Sequence, residues 1–378
     1  MNIKTTKKDL LDLMQKTYPL VPMKSTLQIL SNFKISLENG ILEISATDLD
    51  HSIKAQLAVS ADGSFCIVAN ARKLFDVVRE LPDGEVDIAV NENVVVIESE
   101  KGFTCKLAGA EASDFPAFPA FDIKKEFDIF ISMISSMIEK SSFAVSKDES
   151  RACLCGILWE IESGKTAMIA TDGHRLGSSI VQGAFSVDEK SSIVVSPKSV
   201  IHIVKIFGET KDQTIHIQLG EKYVIFSKDG LTLCSKLIED IYPDYRRVIP
   251  PENPRKAVVQ KDLLVNAVRR VSVLSNQKTN LVKFTFKKNQ LELVVLNRDI
   301  GGEAREVIPV DYAGKDHTIG FNGQYLGEIL SIIAVPKISM EMNTQISACL
   351  IFPYYEDAAK KTSEDLFLIM PLKIMEEA

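Results

Sequence analysis

The chain has 378 residues, enough for two or three domains that each bury a core, and its 46% apolar and 25% charged content is ordinary for a globular protein. No apolar run approaches the ~20 residues of a membrane-spanning helix, and the basic but amphipathic start MNIKTTKKDLLDLMQK lacks a signal-peptide core, so a cytoplasmic protein is expected. With 44 Lys and Arg against 51 Asp and Glu, the net charge of −7 argues against simple electrostatic binding to nucleic acid and moves attention to how charge is distributed.

Read in chain order, one pattern returns about every 125 residues. Turns at Asn39-Gly40, Ser163-Gly164 and Asn289-Gln290 each separate two alternating apolar runs: FKISL and ILEISA, CGILWEI and KTAMIA, VKFTF and LELVVL. A first set of helices is expected at 6–18, 124–142 and 260–272, the middle one carrying Phe127, Phe130, Ile134, Met137 and Ile138 as one apolar stripe for packing on a sheet. A second set is expected at 70–80, 196–207 and 321–334, with Asn70, Ser196 and Asn322 as N-caps and Pro197 at the first helical position. Strand-rich segments follow at 86–99, 215–227 and 338–352. The unit is therefore α+β, and three domains are expected at 1–122, 123–250 and 251–378, divided in the proline-containing stretches 115–125 and 241–256. The six helical windows hold 14 Lys and Arg against 9 Asp and Glu, which leaves −12 on the remainder: the helices are the basic part of an acidic protein. A tripled unit suits a chain that curves around something better than one with a single catalytic cleft.

Chemistry is sparse. The six cysteines and five histidines are scattered without metal-ligand spacing, so free thiols, no metal and no cofactor are expected. Asp172 and His174 in ATDGHRL, with Ser178 nearby, invite a hydrolytic reading. Proximity in sequence is poor evidence for a triad, and Asp after Thr at a strand end is more often a turn residue. The arginines of YPDYRRVIP suit either an anionic ligand or structural ion pairs at a domain junction. No phosphate-binding glycine loop or nucleophile elbow is present, and no enzyme is expected.

TLQILSN with ATDLD, SDFP, ATDGHRL, YPDYRRVIP, LLVNAVRRVSVLSN, IGFNGQYL and IMPLK occur in that order, and in this the chain resembles the bacterial sliding clamps, the beta subunits of DNA polymerase III, over essentially its whole length. The resemblance implies a head-to-tail homodimeric ring around double-stranded DNA, with helices lining the inside and antiparallel sheets outside. It would give the replicative polymerase processivity without catalysis. Its further partners would be the clamp loader, translesion polymerases and mismatch-repair proteins, which insert a short peptide with hydrophobic anchors into a pocket between domains two and three.

Carried onto this sequence, the pocket falls on Leu154, Thr171, Gly173, His174, Arg175, Leu176, Pro243, Arg247, Val248, Leu368, Met370, Pro371 and Leu372. Lys24, Arg72, Lys73, Arg151, Lys198 and Lys205 correspond to DNA contacts, and Cys105 and Leu107 would meet Val273 and Leu274 of a second copy. Three departures stand out: Cys105 replaces a larger aromatic, Ala152 and Cys153 replace aromatics near the domain-two DNA loop, and an acidic tail, Ile374–Ala378, follows Lys373.

Overall fold

A computed structural model describes residues 2–120, 122–183, 187, 189–208, 213–357 and 363–374. All of the tail but Ile374 lies outside the described residues. The chain folds as two compact units, Met1–Ser132 with Lys198–Leu237, and Met133–Pro197 with Ile238–Ala378.

Among the described residues the helices are α1 (Lys7–Thr17), α2 (Ala71–Glu80), α3 (Ile131–Ser142), α4 (Pro197–Phe207), α5 (Lys261–Ser272) and α6 (Gly323–Ile332). Each is entered from a strand that ends at or one residue before its first turn. The caps follow from that entry. The side chains of Thr6, Asn70 and Asn322 accept backbone N–H groups of the first turn, from Asp9, Lys73, and Gln324 with Tyr325 respectively, satisfying donors that have no partner within the helix.

The middle helix of the first set is shorter than expected. Lys125–Phe130 is a strand paired with Thr214–Leu219, and only Ile131–Ser142 is helical. Phe127 and Ile129 are buried by strand alternation, whereas Phe130 is 49% exposed and leaves the expected stripe. Ile131, Ile134, Met137 and Ile138 form the buried helical face. The three hairpins are present, with one shift: Lys287 pairs with Gln290, so the third turn is Lys288-Asn289 rather than Asn289-Gln290. The second turn residue is the one held at positive φ in all three, at Gly40, Gly164 and Asn289.

In the first unit the strand His51–Ala58 pairs with Leu231–Lys236, so one antiparallel sheet continues from the N-terminal repeat into the last strand of the central one. The second unit repeats the arrangement, with Arg175–Gln182 paired to Glu364–Ile369. A separate four-stranded sheet in this unit ends on the strand Gly302–Pro309, one edge of which has no strand partner among the described residues. Cores are aliphatic and aromatic, with Trp159, Phe284, Phe286, Phe321, Tyr312 and Phe367 almost wholly buried in the second unit. No helix among the described residues is long and apolar enough to cross a membrane. Five of the six free cysteines are buried or half-buried in strands or beside Leu154, and Cys66 is exposed.

Candidate functional site

The site begins with a strand-end turn. Thr171 pairs with Leu176 across it. The Thr171 hydroxyl donates to Arg175 O at 2.8 Å and accepts Gly173 N–H at 3.1 Å. Asp172 Oδ1 accepts the N–H groups of His174 and Arg175, both at 2.9 Å. Gly173 sits at φ +88°, a region costly for a side chain. Asp172 is thus a turn residue, and the exposed His174 is not aligned by it as a catalytic base. The C-terminal segment docks against this turn: Met370 N–H donates to His174 O at 2.8 Å, and Leu372 N–H to Gly320 O at 2.8 Å.

Beneath the turn lies an apolar floor in which Leu158, Ile169, Leu176, Val194, Leu350 and Leu368 are buried together, with Met370 packed against it. Of the expected pocket residues, Leu176, Leu368 and Met370 belong to this floor. Leu154 is buried in its own short turn, Ala152–Cys155, and lies outside the cluster. Pro371 and Leu372 are half-buried, Thr171 likewise, and Gly173, His174, Pro243, Arg247 and Val248 are exposed. An apolar floor with an exposed rim of mixed polarity is the arrangement that accepts hydrophobic anchors.

Arg175 is held from within the protein. Its side chain is 8% exposed and wholly engaged: Nε donates to Asp172 Oδ2 at 3.1 Å, Nη1 donates to Glu328, and the guanidinium lies 4.4 Å from the Tyr325 ring centroid and 5.3 Å from that of Phe143. Burial would raise the Glu328 carboxyl, but hydrogen bonds from Arg175 and Gln324 outweigh it and lower its pKa.

The two arginines of the linker divide the alternatives between them. Arg246 Nη2 donates to both oxygens of Glu160 at 2.8 and 2.6 Å, and the Tyr245 hydroxyl joins them at 3.1 Å. This ion pair fixes the short turn Tyr245–Val248 onto the strand Ile157–Glu162. Arg247, 84% exposed at its side chain, faces solvent with a 3.3 Å contact to Asp244. Burial pushes the Tyr245 phenol up to about 12, with Glu160 adding to the effect. Sequence reading missed Tyr242, whose hydroxyl accepts Thr171 N–H at 3.0 Å, and Ile346, a 78% exposed apolar residue in the loop before the buried Ala348 and Leu350 of the floor. Tyr242 was within the quoted motif; nothing local marks Ile346.

The first unit carries the same turn in different chemistry. Thr47 donates to His51 O at 2.7 Å and accepts Leu49 N–H at 3.1 Å; Asp48 Oδ1 accepts His51 N–H at 2.8 Å; Lys236 N–H donates to Asp50 O at 2.8 Å. His51 takes the place of Arg175 and meets Ser199 Oγ at 3.1 Å, while Lys198 Nζ donates to Asp48. Burial raises the Asp48 pKa, but the hydrogen bonds from His51 and Lys198 dominate and hold it well below the usual carboxylate range. The residues matching Leu176, Leu368 and Met370 are Ser52, Cys234 and Lys236, so these three positions do not supply an apolar floor there.

All six expected DNA-contacting residues, Lys24, Arg72, Lys73, Arg151, Lys198 and Lys205, are exposed. They are unequal: Lys198 is committed to Asp48, and Arg72 lies 3.9 Å from Asp76. Arg151, 3.9 Å from Asp148, also reaches the Asp172 carbonyl at 3.5 Å, beside the turn of the apolar site. At the expected dimer contacts, Val273 is 78% exposed and Cys105, Leu107 and Leu274 are half-buried. Leu296 and Ile300, more than half exposed, are further apolar residues of this region that sequence reading missed.

A threefold α+β repeat with basic helix positions and an apolar floor under a rimmed turn defines a binding scaffold of the sliding-clamp class. The family models for the DNA polymerase III beta subunit match it domain by domain: the N-terminal domain over residues 1–119, the central domain over 129–244 and the C-terminal domain over 246–367. The chain belongs to this family, whose members are non-catalytic processivity factors of DNA replication. It is 30% identical to the beta sliding clamp of Caulobacter vibrioides over 365 residues (94% of this chain, 95% of that one) and 30% identical to that of Escherichia coli over 355 residues (93% and 94%). Among solved structures, the Bartonella birtlesii sliding clamp bound to griselimycin is 30% identical with a TM-score of 0.91, covering 99% of this chain and all of that one. The Pseudomonas aeruginosa beta subunit is 26% identical, with a TM-score of 0.92 and the same coverage.

Proposed function

We propose that two copies of this chain close head to tail into a ring around duplex DNA and tether the replicative polymerase to it. The domains would be 1–122, 123–250 and 251–378. The observation that carries the closure is the pattern of strand edges. Inside the chain, the fourth strand of one repeat pairs with the last strand of the next, His51–Ala58 with Leu231–Lys236 and Arg175–Gln182 with Glu364–Ile369. The corresponding fourth strand of the last repeat, Gly302–Pro309, has an open edge among the described residues, and so does the Thr104–Ala108 part of the N-terminal repeat's last strand. Pairing these two edges between copies closes the ring and removes two open edges that would otherwise invite indiscriminate pairing.

In this ring Cys105 and Leu107 of one chain meet Val273 and Leu274 of the other. The exposed Lys24, Arg72, Lys73, Arg151, Lys198 and Lys205 meet phosphates, few enough for the ring to slide, because each tight phosphate contact adds to affinity and to resistance. The apolar site takes the anchor peptides of the polymerase catalytic subunit, clamp loader, translesion polymerases and mismatch-repair proteins, in the bacterial cytoplasm. Its working members are Leu154, Thr171, Gly173, His174, Arg175, Leu176, Pro243, Arg247, Val248, Leu368, Met370, Pro371 and Leu372. Retention after loading on circular DNA tests the ring: the protein should remain on the circle and slide off once the DNA is linearised. Retention on linear DNA would overturn it.

A further inference from the structure

We infer that Glu328 is a positioning residue for the partner-peptide site and acts through Arg175; the inference rests on the pocket assignment above. The turn Thr171–Leu176 carries the rim residues Gly173 and His174, and its His174 carbonyl receives Met370 N–H, so its seat sets the spacing between rim and terminal segment. Backbone hydrogen bonds within the turn define its shape but not where it sits. The only side chain of the turn that reaches another element with a charged group is Arg175, and the charge it reaches is Glu328, one and a half turns into α6.

The guanidinium is held by two carboxylates and two aromatic rings, with Glu328 itself still partly exposed. Asp172 holds Nε, Glu328 holds Nη1, Tyr325 lies beneath the guanidinium plane, and Phe143 flanks it. Glu328 is itself steadied by Gln324, whose Nε2 donates to Oε1 at 3.0 Å. The first unit supplies an internal comparison. Its turn has the same hydrogen bonds, but the equivalent side chain is His51, and the equivalent helical positions, three and six residues past the cap, are Ser199 and His202 instead of Tyr325 and Glu328. Both turns are tied to their helix by charge, but differently: in the first unit the turn carboxylate Asp48 meets Lys198 at the start of α4, whereas in the second the arginine at the end of the turn meets Glu328 on α6. Removing the Glu328 carboxylate leaves an almost buried guanidinium with one anionic partner, and the turn relaxes away from α6 to rehydrate it.

The test uses the full-length protein and a fluorescein-labelled hexapeptide with Leu and Phe anchors, followed by anisotropy well below the unfolding temperature. Thermal unfolding of every variant is recorded in parallel. Glu328→Ala should raise the peptide Kd roughly tenfold, while Glu328→Gln, which keeps an acceptor oxygen, should stay within roughly threefold. Arg175→Lys, which cannot bridge two carboxylates with a planar fork, should resemble Glu328→Ala and serves if that variant does not fold. Wild-type Kd in Glu328→Ala and Arg175→Lys, alongside weakened binding in Met370→Ala/Leu372→Ala, overturns the inference. So does a loss that merely tracks the unfolded fraction. Unchanged binding in Met370→Ala/Leu372→Ala instead overturns the pocket assignment itself.

Discussion

His202 is the group through which acidity should destabilise the first unit. It is 6% exposed on α4, and neither ring nitrogen has a hydrogen-bond partner. Its ring meets His51 edge-on at 6.0 Å between centroids, with the charged groups of Lys198, Asp48 and Lys205 around it. Burial, reinforced by His51 and Lys198, pushes its pKa down from 6.5 to about 4. Between those values the unfolded chain binds a proton that the folded chain refuses, so stability falls as pH falls through that window. From pH 7 to pH 5 the linkage amounts to about 2 kcal/mol. Asp48 does not blur this window: its depressed pKa makes a contribution that is fully present above the ordinary carboxylate value and is lost only below it. His202→Leu should remove its share of the pH-dependent loss, leaving the smaller share of His317, whose pKa burial also lowers. By removing two unpartnered buried nitrogens, it should also raise stability at pH 7 by about 1 kcal/mol, less any misfit of shape. Urea unfolding of both proteins at pH 7 and pH 5 gives the difference of differences. An equal loss in wild type and His202→Leu would refute the reasoning, because it would place the titration elsewhere.

Three other outcomes follow from the geometry. Glu160→Ala should free Arg246 and Tyr245 and loosen the turn before Val248, lowering stability by about 1 kcal/mol and weakening the hexapeptide; a change in neither would mean the ion pair is incidental. Carrying the register of the two internal seams onto the open edges sets Cys105 opposite Ala304 of the second copy, so oxidised Ala304→Cys should run as a covalent dimer that Cys105→Ser abolishes. Crosslinking that is stronger from Glu306→Cys, two residues along the same face, would show a different register. Charge reversal at Lys24 and Lys205 should reduce DNA loading without altering peptide affinity, whereas reversal at Lys198 should also lower stability, since that lysine neutralises the nearly buried Asp48; loading that is indifferent to all three would leave the basic helices without a role on DNA.

The repeat, the six helices and the hairpins were legible because each rests on local rules: period-two alternation, turn residues and caps. The sequence misled where two local rules overlap. Phe127 suits both the strand Lys125–Phe130 and a helix containing Ile134, and what decides is the pairing with Thr214–Leu219, a segment almost ninety residues away. The third turn slipped by one because Asn289, like the glycines of the other two, occupies the second turn position at positive φ, and the pattern alone does not say which side of it the turn falls. At the site, the motifs delivered the turn and the terminal segment, but not the direction in which Arg175 points. That direction is set by Glu328, 153 residues further on, whose charge has no local signature. Arg246 and Arg247 are neighbours of one type, and only the position of Glu160 separates the structural one from the exposed one.

The same dependence explains how one repeated seam serves different ends. Each seam needs a strand-end turn, a partner strand and the first turns of a helix, and the backbone hydrogen bonds at Thr47–His51 and Thr171–Arg175 are nearly interchangeable. The side chains are not. Ser52, Cys234 and Lys236 with the His51–Asp48–Lys198 group make the first seam a polar junction that offers nothing to an apolar anchor. Leu176, Leu368 and Met370 make the second a floor, and the Arg175–Glu328 bridge holds its rim. The third repeat extends its turn between Leu296 and Glu303 by two residues and presents Leu296 and Ile300 to solvent, as a seam completed by another molecule requires. Backbone repetition therefore fixes where the seams fall, and roughly a dozen side chains decide whether each is a joint, a docking site or a closure.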